Sequence, residues 1–126
     1  MELSPNGNRV LCVITTTDTL QNSYKDSVVI INIATKQKKF LTEGSSTCLS
    51  PNGSEFVYIS ADGEIWKYDL QKNQKNFLAK IFPSNYFINH MAEMNFACSP
   101  DGKHIAYIST KSAQKNQFGF LNIIII

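Results

Sequence analysis

Arginine is almost absent from this 126-residue chain: Arg9 stands alone among twelve basic residues, the rest being lysine. Bidentate phosphate contacts need the guanidinium fork, and a net charge of +2 adds little general attraction for polyanions. Nucleic acid and anionic membrane surfaces are therefore excluded as expected partners. No apolar run approaches the roughly 20 residues of a membrane span. The opening "MELSPNG" lacks the basic stretch and apolar core of a signal peptide, which predicts a cytoplasmic chain. Histidine is scarce as well: His90 and His104 have no recurring carboxylate or second ligand near them, so neither a metal site nor a catalytic histidine is expected. The three cysteines, Cys12, Cys48 and Cys98, are odd in number and widely spaced. They read as reduced, buried small hydrophobes rather than as a disulfide framework or zinc site.

What the chain has in abundance is one phrase. "SPNGNRVLCVIT" begins at Ser4, "SPNGSEFVYISA" at Ser50 and "SPDGKHIAYIST" at Ser99. Proline presets φ early in the turn, Asn or Asp tolerates the left-handed region, and Gly supplies positive φ. Asn-Gly or Asp-Gly between apolar runs is a strong hairpin signal. In the run after the first turn, Val10, Cys12 and Ile14 alternate with Leu11 and Val13, so both faces of that strand are apolar. A strand of this kind is buried on two sides.

A third strand follows in each of the first two units, "SVVIINIA" and "EIWKYDL", and then a fourth, "KKFL" and "KNFL". The third and fourth strands match without a gap at an offset of 37, from Val28 to Ile65, Phe40 to Phe77 and Leu41 to Leu78. The extra residues of the first unit fall between strands two and three, in "TTTDTLQNSYKD", which reads as a long loop. No helical periodicity appears. Four short antiparallel strands per unit of 40–50 residues is the blade of a β-propeller. The fold class is all-β, a partial propeller of about three four-stranded blades spanning approximately 1–43, 44–81 and 92–126, the first and last incomplete. Three blades cannot close a ring, so the chain reads as a fragment, with self-association through its open blade edges as the alternative.

The phrases "SPNG…FVYIS", "SPDGKHIAYIS" and "GEIWKYDL" resemble the WD40-like propeller repeat of TolB-type proteins. The first unit, with Asp18, Leu20, Asn22, Tyr24, Asp26 and Leu41-Thr42, resembles the opening blade of propellers in prolyl-oligopeptidase-family (S9) serine peptidases, especially acylaminoacyl-peptidase-like members. This resemblance implies a non-catalytic propeller that gates peptide access to an α/β-hydrolase domain absent from this chain, with no cofactor. Its expected partners are a peptide substrate or that hydrolase domain. The alternative is a stand-alone TolB-type propeller that binds proteins.

Candidate residues are few. A nucleophile elbow needs Gly-x-Ser-x-Gly, and the nearest approach, "GSSTC", has Cys48 where the second glycine belongs. Ser46 is placed by sequence in a blade-to-blade connection and is not expected to act as a nucleophile. Asp69, at a strand end, reads as a turn cap. Trp66 and Tyr68 read as core packing. Segments expected to meet substrate or a partner domain are the loop from Thr15 to Asp26, through Tyr24 and Asp26, and the aromatic connection Ile81 to Met94, through Asn85, Tyr86, Phe87 and Asn89.

Overall fold

The computed structural model describes residues 1–80, 96–109 and 122–126. Among them all regular structure is strand. The first sheet contains β1 (Glu2–Leu3), β2 (Arg9–Asp18), β3 (Ser23–Asn32) and β4 (Lys38–Glu43), in that spatial order. The second contains β5 (Ser45–Leu49), β6 (Glu55–Ile59), β7 (Glu64–Asp69) and β8 (Gln74–Lys80), again in chain order. The third pairs β9 (Phe96–Cys98), β10 (Ile105–Ser109) and β11 (Asn122–Ile125), with β10 in the middle. Every pairing is antiparallel, so each sheet is a meander.

The repeated phrase folds the same way three times. In the first copy Gly7 N donates to the Ser4 carbonyl at 2.9 Å. Ser4 Oγ donates to Asn6 Oδ1 at 2.8 Å and accepts from Arg9 N at 3.0 Å. The copies at Ser50 and Ser99 repeat these bonds. The three glycines sit at φ 74°, 75° and 76°. In the third copy Asp101 replaces Asn, and its carboxyl is held below the usual carboxylate range by the Ser99 hydroxyl and the Lys103 amide. The offset of 37 is equally literal. A bulge follows Val28 in β3 and follows Ile65 in β7, leaving Leu41 and Leu78 as the extra residues on the partner strands. Each outer hairpin is capped by the residue ending the third strand: Asn32 Oδ1 accepts from Thr35 N, and Asp69 Oδ1 accepts from Gln71 N and Lys72 N. The left-handed turn residues Lys36 and Asn73 also correspond.

Two apolar layers hold the sheets face to face. Leu11, Val28 and Leu41 of the first sheet pack against Phe56, Tyr58 and Tyr68 of the second. The opposite face of the second sheet places Val57, Ile59 and Ile65 against Ile105 of the third. Tyr68 stacks on Phe56 with ring centroids 5.1 Å apart, and half-buried Trp66 meets Phe77 edge-on at 5.6 Å, so both aromatics pack as expected. Burial pushes the Tyr58 hydroxyl pKa up, although its contact with Thr42 opposes the shift.

The innermost strands carry further ties. The Glu2 carboxylate on β1 accepts from Leu49 N on β5 at 3.0 Å. Cys48 on β5 and Cys98 on β9 form a disulfide, with Cα atoms 6.5 Å apart. This corrects the expectation of three reduced thiols; only Cys12 is free, and it is buried. The reason lies in the repeat. The two cysteines are 50 residues apart, close to the 49-residue step from Ser50 to Ser99, so stacking sets them side by side.

Stacking also makes the repeated glycines unequal. A Cβ on Gly53 would lie 2.7 Å from Pro5 Cδ, and one on Gly102 would lie 2.8 Å from Pro51 Cδ, whereas Gly7 has nothing within 4 Å. The second and third turns therefore each rest on the proline of the preceding sheet. Gly7→Ala incurs only the positive-φ penalty, about 1–2 kcal/mol. Gly53→Ala adds a clash with a rigid ring, about 1–3 kcal/mol more. Urea unfolding of the two variants should give a clearly lower midpoint for Gly53→Ala; equal midpoints would contradict turn-on-proline stacking.

Candidate functional site

The segment read as a long loop before the third strand is a hairpin. The β2–β3 ladder continues from Thr15↔Asp26 through Thr17↔Tyr24 to Asp18↔Ser23. Three consecutive threonines favour extended backbone, which keeps the ladder running past the core. At the tip Asp18 Oδ1 accepts from Leu20 N and Gln21 N, and Asn22 takes φ 52°. Asx capping and a left-handed Asn make the turn. Along β2 burial ends at Ile14, and residues 15–25 of the hairpin are exposed.

The two candidates on this hairpin part company. Tyr24 is 79% exposed and Leu20 97% exposed, so the tip presents unsupported apolar surface. Asp26 is half-buried and engaged: its Oδ1 accepts from Thr15 Oγ1 at 2.6 Å, and its carbonyl accepts from Gly44 N at 3.0 Å. It anchors the hairpin root to the connection entering the second sheet. The neighbouring Lys25–Glu43 pair at 2.9 Å is exposed on both sides and contributes little. Asn85, Tyr86, Phe87 and Asn89 lie outside the described residues, as does His90. The strand ends that flank them can be placed. Lys80 pairs with Glu64, at the end of the second sheet away from its Ser-Pro-Asn-Gly turn. The hairpin tip lies at the corresponding end of the first sheet.

Ser46 does not lie in a connection between sheets. It sits inside β5, exposed, at φ 56° within the bulge between Ser45↔Ile59 and Cys48↔Val57. His104 is exposed, just before β10. Among the described residues no group of three His, Cys, Asp or Glu side chains could hold a metal ion. No helix of the described residues is long and apolar enough to cross a membrane.

A feature missed in the sequence is a cavity of about 210 Å³ between the second and third sheets. Leu49, Val57, Leu78 and Ile105 give it apolar walls, and Lys103 and His104 stand at its exposed side. Glu55 and Lys67, 3.7 Å apart, also line it. Its signal was the repeat itself, since a cleft between sheets is lined by corresponding positions of consecutive units.

No family model matches the chain, and no curated protein sequence does. Solved structures do. The acylaminoacyl peptidase of Pyrococcus horikoshii superposes with a TM-score of 0.64 at 21% identity, over 88% of this chain and 17% of the peptidase. The β-propeller domain of the Trilobed protease from Pyrococcus furiosus gives 0.66 at 20% identity, over 95% of this chain and 36% of that one. The chain has the fold of part of a β-propeller. Oligogalacturonate lyase from Vibrio parahaemolyticus gives 0.54 at 16% identity, over 84% of this chain and 27% of the lyase. The propeller fold is thus shared by peptidases and a lyase, and this chain spans only 17–36% of the three structures.

The hairpin thus combines an anchor at Asp26 with a displayed surface at Leu20 and Tyr24. Asp26→Ala should lower stability by about 1 kcal/mol, read as a fall in Tm of several degrees. Tyr24→Ala and Leu20→Ser should leave Tm within roughly 2 °C of the parent. Thermal melts followed by circular dichroism check both.

Proposed function

We propose that this chain is propeller sequence of a prolyl-oligopeptidase-family serine peptidase, acting inside the cell to select peptides for a hydrolase domain encoded elsewhere in the same protein. The observation that carries the reading is the superposition on the Trilobed protease propeller across 95% of this chain. It agrees with the similarity of the first unit to opening blades of acylaminoacyl-peptidase-like members. The role assigned to the chain is steric and positional. Rigid stacked sheets set the width of a passage, and short peptides pass where folded proteins cannot. The displayed tip residues Leu20 and Tyr24 supply apolar contact for a peptide or for the hydrolase domain. The nucleophile is assigned to the hydrolase domain, since the Gly-x-Ser-x-Gly elbow does not occur in these 126 residues.

Reading the gene in frame on both sides of this segment tests the proposal. Further repeats joined to a hydrolase segment with a nucleophile elbow are expected. Further repeats alone would overturn it in favour of a protein-binding propeller. The isolated chain should not hydrolyse N-acylated peptides, and turnover abolished by Ser46→Ala would contradict the assignment of chemistry to another domain.

A further inference from the structure

Cys48 and Cys98 join the innermost strands of two neighbouring sheets. Both are half-buried, and both line the inter-sheet cavity of about 210 Å³. The exposed residues Lys103 and His104 line the same cavity, so its space reaches the surface. Cys12, by contrast, is buried within the first sheet, away from this cavity. Cys48 and Cys98 pack against an apolar layer in which Val57, Ile59 and Ile65 meet Ile105, so the junction has noncovalent contacts besides the disulfide.

We propose that Cys48–Cys98 is a reversible redox site, opened and closed in the folded protein by small thiol compounds that enter the inter-sheet cavity. In the opening direction a thiolate attacks one sulfur of the pair. The S–S bond breaks, a mixed disulfide forms, and the other cysteine leaves as a thiolate and takes a proton. A second small thiol then attacks the mixed disulfide, freeing the second cysteine and releasing a low-molecular-weight disulfide. Two small thiols are oxidised and the protein disulfide is reduced. Closing is the reverse, with the small disulfide as oxidant. In a reducing compartment such a bond is transient and regulatory rather than permanent.

The consequence is conformational. The closed bond encloses β6, β7 and β8 in one covalent loop and fixes the inner strands of the second and third sheets together. The open form leaves that junction to its noncovalent contacts, the apolar layer and the Gly102 turn against Pro51, so the sheets separate more readily. Cross-linking residues 50 positions apart removes much chain entropy from the unfolded state. The closed form should melt about 10 °C higher.

The test uses the full chain and its Cys12→Ser variant, equilibrated with oxidised or reduced glutathione, alkylated and mapped by mass spectrometry. With oxidised glutathione the Cys48 and Cys98 peptides should be found linked in both proteins. With reduced glutathione both thiols should become alkylatable at a rate proportional to glutathione concentration and unchanged by urea below the unfolding transition. The β-sheet circular dichroism should persist while Tm falls. Failure to link under oxidising conditions would overturn the proposal. So would reduction only at the rate of global unfolding, or loss of the sheet spectrum on reduction. None of these outcomes depends on a peptidase partner, so the redox site stands or falls apart from the proposed function.

Discussion

The second sheet is apolar on both faces, and the rest of the fold is arranged to cover it. Phe56 and Tyr58 face one neighbour while Val57 and Ile59 face the other, an alternation that a single strand of five residues delivers twice over. A lone four-stranded meander cannot shield two such faces from water, and a free sheet of this composition would aggregate. Face-to-face stacking solves this, and it then dictates the remaining contacts. Turns meet prolines, inner strands come within reach of one another, and a cavity is left between the second and third sheets. The first sheet shows the same demand from its other side: Cys12 and Val29 are buried there, and Phe40, which pairs with Val29, is 56% exposed.

Much of this was legible because the physics is repeated. The Ser-Pro-Asn/Asp-Gly phrase encodes a turn through residue-specific backbone preferences and its own side-chain bonds, which repeat in all three copies. The offset of 37 carried more than strand positions. It matches Val28 with Ile65, and the structure shows both fully buried and adds a shared bulge and shared hairpin caps. The cap role of Asp69 was readable for the same reason.

What escaped the reading depended on relations between units or on continuation past the core. Local motif rules look for cysteines a few residues apart, whereas Cys48 and Cys98 are about one repeat apart, which stacking converts into adjacency. The segment from Thr15 to Asp26 lacks apolar alternation and so looked like loop. Its ladder rests on β-branched threonines and backbone pairing rather than burial, a signal that hydrophobic periodicity does not register. The sequence offers Tyr24 and Asp26 alike as contact residues, and only the fold tells a displayed ring from a carboxylate bonded back to its own hairpin.

The doubly covered sheet is the cooperative centre of the molecule. Native-state hydrogen exchange measures this directly, strand by strand. The amides of β6 and β7 should exchange last and with one common opening free energy equal to that of global unfolding, while the β2–β3 hairpin beyond Ile14 exchanges by local fraying. If β6 and β7 exchange through local openings while the first sheet retains the highest protection, stacking on both faces is not what holds this fold together.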